Sequence, residues 1–147
     1  MDAQSDRQRS GDPARAASGD AAMMDLVLPE ALVVGFHRHI DRAELPDPDG
    51  RHVVAAAIEA KASHILTSNL RDFPANAIKR HGSVRVTPDA FLANLYDQAP
   101  QLVVGSIANA RRNLSKSGIS VRDFLASLKA QRLEALAKRL NMHTTEL

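Results

Sequence analysis

The 147-residue chain has no cysteine and no tryptophan, one tyrosine and four phenylalanines, and only 3% of it is aromatic. Without cysteine there is no disulfide scaffold, no thiolate zinc site and no cysteine nucleophile. That usage fits a cytoplasmic protein, which is the expected location. The scarcity of aromatics argues against a base-stacking platform of interleaved rings. No stretch approaches the roughly 20 consecutive apolar residues needed to span a bilayer, and no apolar core follows the charged N-terminus as it does in a secretory signal. The sequence therefore predicts a soluble chain without a membrane partner. Residues 1–22 lack Leu, Ile, Val, Phe, Tyr and Trp altogether. Such a stretch cannot offset the entropy of ordering it, so residues 1–23 are expected to be a disordered leader.

The whole chain is 44% apolar, mostly Ala, Leu and Val, and 24% charged, enough for one ordinary domain. The formal net charge of +2 is unevenly spread: residues 1–100 carry 11 Lys/Arg against 14 Asp/Glu, and residues 101–147 carry 8 against 3. A basic C-terminal part suits RNA, DNA or an acidic partner, and a solvated Lys/Arg face has the same signature. Arg111, Arg112 and Lys116 fall on one helical face, where they either meet phosphates or face water.

Hydrophobic spacing predicts an α/β layer over residues 24–98. Pro29 opens a helix to Asp41 with Leu32, Val33, Phe36 and Ile40 on one face. Arg51 to Ala62 is apolar on nearly all sides, as in a buried helix. A buried strand over Ile65–Ser68, a loop over Asn69–Pro74, a short helix over Ala75–Arg80 and a second strand over Val84–Thr87 follow. Thr87 and Pro88 then cap and start a helix bearing Phe91, Leu92 and Leu95. Helix and strand in alternation imply a parallel sheet. Two strands leave open edges, so strands from a second copy or from a separately encoded half are expected to complete it. Residues 99–147 read as a helical extension, with Leu102, Val103, Ile107 and Leu114 on its first segment and a capping box from Ser120 to Asp123 on the next. The base-reading residues and Gly-containing turn of a helix-turn-helix DNA binder are missing.

The chemistry concentrates in LPDPDGRHVVAAAIEAKASHILTSNLRDFP, residues 45–74. It sets Asp47 and Asp49 at the start of the buried helix, and Asn69 and Asp72 in the loop beyond the carboxyl end of a strand, where open α/β sheets bind ligands. Carboxylates with an amide suit a hard cation such as Mg²⁺ or Mn²⁺, while the same residues also serve as helix caps and turn formers. His37 and His39, two apart, point to different helix faces and do not form a joint metal site.

That stretch resembles the C-terminal half of PIN domains, the fold of VapC-type toxins and related metal-dependent ribonucleases. The family run LPDPDDRHVLAAA, followed by a strand ending T-x-N-x-x-D-F-P, is matched here by LPDPDGRHVVAAA and TSNLRDFP. The resemblance implies an incomplete PIN-like parallel sheet with flanking helices, followed by the helical extension. It implies catalytic roles for Asp49, Asn69 and Asp72, with Asp49 and Asp72 as ligands to Mg²⁺ or Mn²⁺. It also implies substrate contacts from His52 and Arg71, although His52 equally suits a packing role at the helix start.

Of the family's four metal-site positions, two belong to an N-terminal half that this sequence does not match, and the third falls on Gly50. Asp49 lies one residue away, about 100° around the helix axis. The expected function is that of a truncated PIN-like ribonuclease of toxin–antitoxin type, acting on RNA beside an antitoxin protein, with activity weak or lost in this chain alone. The alternative is a non-enzymatic module that binds a partner through its open sheet edge.

Overall fold

The computed structural model describes residues 22–24, 26–114 and 118–147. The expected leader falls mostly outside them, but Ala22 and Met23, which belong to it, are helical. Three 3-10 segments, Pro29–Ala31, Phe36–Arg42 and Pro48–Gly50, lead into α1 (Arg51–Glu59), β1 (His64–Leu66), α2 (Ala75–Lys79) and β2 (Val84–Val86). Helices α3 (Pro88–Gln98), α4 (Pro100–Asn113), α5 (Val121–Ala130) and α6 (Glu134–Leu140) follow, and a last 3-10 turn covers Asn141–His143.

The two strands pair in parallel, with His64 opposite Val84, Ile65 opposite Arg85 and Leu66 opposite Val86. Hydrogen bonds from Val84 N to Ser63 O (2.9 Å) and from Thr67 N to Val86 O (3.0 Å) continue the ladder at its two ends. This is the expected class, an incomplete α/β layer with flanking helices and a helical extension.

Four local expectations are corrected. The helix expected over Pro29–Asp41 is two 3-10 segments, because Leu32 is extended and Gly35 takes φ +77°, a left-handed conformation that suits glycine. The helix expected to reach Ala62 stops at Glu59. There Lys61 adopts φ +50°, Lys61 N donates to Ile58 O, and Ala62 N donates to Ala57 O, which together form a Schellman stop with lysine where glycine is usual. β1 is buried on one face only: Ile65 points into the core while His64 and Leu66 are exposed. In the helical part the buried stripe is Val103, Val104 and Ala108, so Leu102, at 71% exposure, and Leu114 face outward, as Leu95 does on α3.

Burial divides between two cores. The first joins Ala43, Leu45, Val54, Ala57, Ile65, Phe73, Ala77 and Ile78, with α1 packed against the 3-10 segment Phe36–Arg42. Arg38 and His39 of that segment both bond Glu59 at the end of α1, at 2.8 Å each. The second core joins Tyr96, Val103, Val104, Ala108, Leu125, Leu136, Leu140 and Leu147. Here α6 lies against both α3 and α5, which is why Leu136 and Leu140 are fully buried.

Candidate functional site

The loop after β1 is built from its own polar side chains. Thr67 Oγ1 accepts from Asn69 N (3.0 Å) and turns the chain out of the strand. Asn69 Nδ2 then donates to Asp72 Oδ2 (2.7 Å), while Asp72 N donates to Asn69 Oδ1 (3.3 Å), closing a ring of two hydrogen bonds. Arg85 of β2 donates to the carbonyl of Leu70 and to that of Phe73, the latter at 3.0 Å, and so holds the loop from the neighbouring strand. Arg85 escaped the sequence reading. Its only signal is a single arginine between two strand valines.

The helix start is shaped similarly. Asp47 Oδ1 accepts from Asp49 N (2.9 Å), bending the chain into Pro48–Gly50 and on into α1. Asp49 and His52 are exposed there, as is Arg71 in the loop. The two halves of the motif meet through apolar atoms. A Cβ at Gly50 would lie 3.1 Å from Leu45 Cδ1 and 3.1 Å from Phe73 Cζ, so the ring next to Asp72 occupies the space where position 50 would carry a side chain.

The structure thus joins Asn69 directly to Asp72 and sets the loop close to the start of α1. It does not gather the predicted carboxylates into a cage: among the described residues no three His, Asp or Glu side chains converge. Asp72 Oδ2 is engaged by the Asn69 amide, Gly50 offers no side chain, and Asp49 projects into solvent. A divalent ion of the Mg²⁺ type takes several converging oxygens, so the residues present do not fit one.

The other singled-out residues have structural partners. Arg111 turns inward, donating to Leu147 O (2.6 Å) and Ile119 O (2.9 Å), which corrects the expectation that it either meets phosphates or faces water. Arg112 is exposed, and Lys116 lies outside the described residues. His37 stacks on Phe36. The Arg38 hydrogen bond above all holds the Glu59 carboxyl below its ordinary value; burial opposes it, and the His39 hydrogen bond adds a lesser lowering.

Residues 88–141 match the family model described as VapC50 C-terminal domain, a stretch running from the first residue of α3 to just beyond α6. The putative ribonuclease VapC50 of Mycobacterium tuberculosis strain H37Rv is 38% identical over 63 residues, which are 41% of this chain and 37% of that protein. The likeness is to the C-terminal region of VapC-type, PIN-family proteins. This chain spans less than half the length of the VapC50 relative it matches. No solved structure gives a significant match.

Proposed function

We propose that this chain is the C-terminal part of a VapC-type ribonuclease module, in which the Asn69–Asp72 loop faces RNA and the metal-dependent step requires carboxylates additional to those described. The observation that carries this reading is the Asn69–Asp72 pair, set beyond the carboxyl end of a parallel strand and braced by Arg85. The likeness to a putative ribonuclease supports the substrate class. Metal-assisted hydrolysis needs an ion that polarises phosphate and activates water, and Asp49 with Asp72 leaves such an ion largely to its own water. In this reading Arg71 and His52, both exposed beside the loop and helix start, meet substrate phosphates. RNA and an antitoxin protein are the proposed partners, and the cytoplasm is the proposed location. No described helix is long and apolar enough to cross a membrane.

The test is incubation of the purified chain with single-stranded RNA and Mn²⁺. RNA is expected to survive, and Mn²⁺ to bind no better than it binds a pair of surface carboxylates. Manganese-dependent cleavage abolished by both Asp72→Ala and Asp49→Ala would overturn this reading, with Asp49 filling the role absent at Gly50.

A second reading, a non-enzymatic module that docks a partner chain, is favoured by a specific observation. On the two-stranded sheet Leu66 and Val84 remain 52% and 58% exposed, and Leu26, Val27, Leu28, Leu32 and Val34 are exposed nearby in sequence to the first 3-10 turns. Parallel strands are normally covered on both faces. A second copy or a separate half of the fold would cover them, and light scattering at micromolar concentration distinguishes self-association from a stable monomer.

A further inference from the structure

We propose that the groove between α5 and the chain's last turn binds the phosphate backbone of single-stranded RNA, a contact surface separate from the Asn69–Asp72 loop. The proposal rests on the ribonuclease reading for its choice of polyanion. The groove has a volume of about 490 Å³. Arg122 and Lys129 stand along it on α5, with Leu125 and Ala126 as an apolar floor and Asn141 and Thr144 as the opposite wall. Seven residues of helix separate the two cations by about 10 Å along the axis, so both present to one groove and suit two non-adjacent phosphates of a strand.

The nearby acids are engaged by neighbours of their own. Asp123 accepts from the Ser120 hydroxyl (2.7 Å) at the helix cap, and Glu146 bonds His143 Nδ1 (2.7 Å). The same His143 bonds Tyr96 OH through Nε2 (2.7 Å), which ties the groove's Asn141–Thr144 wall to α3. Arg111 and Arg139, by contrast, are consumed internally, on Leu147 O and Asp97 respectively; Arg122 and Lys129, like the exposed Arg112, Arg132 and Lys138, have no ion-pair partner among the described residues, and these two are the cations that line the groove. The wall offers neutral hydrogen-bonding side chains and the floor no aromatic face. Such a lining recognises backbone and is tolerant of base sequence.

The test measures binding of a fluorescein-labelled oligouridylate to the full chain in EDTA, so that it is independent of any metal-dependent cleavage. The Arg122→Glu/Lys129→Glu double variant is expected to bind at least about tenfold more weakly, and its salt dependence to lose roughly 1.4 in slope for the two phosphate contacts removed. Thr144→Val should cost a few-fold, whereas Lys79→Glu, the same reversal as either half of the double variant but on α2, should leave affinity within about twofold. These are exposed positions, and an unchanged circular-dichroism melt shows that the variants fold.

Absence of binding by the parent chain overturns the proposal, as does an unaffected double variant or an equal loss in Lys79→Glu. Displacement of RNA by polyglutamate as effective as by unlabelled oligouridylate would assign the groove to an acidic protein instead. RNA binding without manganese-dependent cleavage supports both readings, while cleavage with an unaltered double variant rejects both.

Discussion

Asp89, in the first turn of α3, accepts the backbone N–H of Leu136, in the first turn of α6, at 2.9 Å, and its second oxygen takes the N–H of Ala135 at 2.9 Å. The residue preceding α6 is Leu133, which has no side-chain acceptor. A carboxylate 46 residues away in sequence therefore does the work of an N-cap, satisfying two of the orphan donors at the helix start. Asp89→Ala is expected to lower stability by about 0.5–2 kcal/mol, the range for loss of a cap. Asp89→Asn keeps one acceptor and should cost less. Urea unfolding of the two variants checks this; equal, negligible losses would show that water replaces the carboxylate without penalty.

Lys61 and Arg132 both take left-handed backbone conformations, φ +50° and +62°, at the ends of α1 and α5. A side chain there costs about 1–2 kcal/mol, while glycine returns about 0.5–1 kcal/mol of that through its freer unfolded chain. Lys61→Gly and Arg132→Gly should each stabilise by a few tenths of a kcal/mol up to about 1 kcal/mol. A thermal melt shifted upward in both variants is the expected outcome, and a downward shift would rule out the relief of backbone strain.

Acid should weaken the protein in a specific window. Hydrogen bonds from Arg139 hold the Asp97 carboxyl below its ordinary value, as those from Arg38 do for Glu59. A carboxyl whose pKa is lowered by folding contributes stability above its unfolded value, near pH 4, and that contribution is lost as pH falls through the folded value. The Asp97→Asn/Glu59→Gln variant should lose less stability than the parent between neutral pH and pH of about 3. Parallel pH profiles would show that these pairs add nothing, and added salt should shrink the difference because both are surface pairs.

Gly50 is helical, so an alanine there gains about 0.5–1 kcal/mol from the backbone. Its Cβ would press on Leu45 and Phe73, two buried side chains, at 3.1 Å from each, and overpacking typically costs about 1–3 kcal/mol. Gly50→Ala is therefore expected to be destabilising by up to about 2.5 kcal/mol, and combining it with Phe73→Leu should restore part of the loss. A more stable single variant would show that the Phe73 ring yields.

Local chemistry was readable in the sequence where the signal and its partner lie within a few residues. Thr87 accepts from Ala90 N, Ser120 accepts from Asp123 N, and the strand pair forms in parallel, all as spacing indicates. The break at Gly35 competed with a periodic apolar stripe, and periodicity alone does not reveal that Leu32 turns extended. The stops at Lys61 and Arg132 carry no glycine to announce them. In the candidate site, Asn69 and Asp72 were legible because they stand three positions apart in one loop, but the bracing by Arg85 and the filling of the Gly50 space by Phe73 are contacts between distant segments.

The two cores have a kinetic consequence. The apolar residues from Ala43 to Ile78 bury one another, those from Tyr96 to Leu147 bury one another, and the edge contact of His64 with Phe91 spans the two regions. Opening one core need not open the other, so backbone amides of α6 can stay protected from solvent exchange while those of β1 and β2 are released. Were the strand pair to open first, the Asn69–Asp72 loop would rearrange around a partner without dismantling the helical end of the chain.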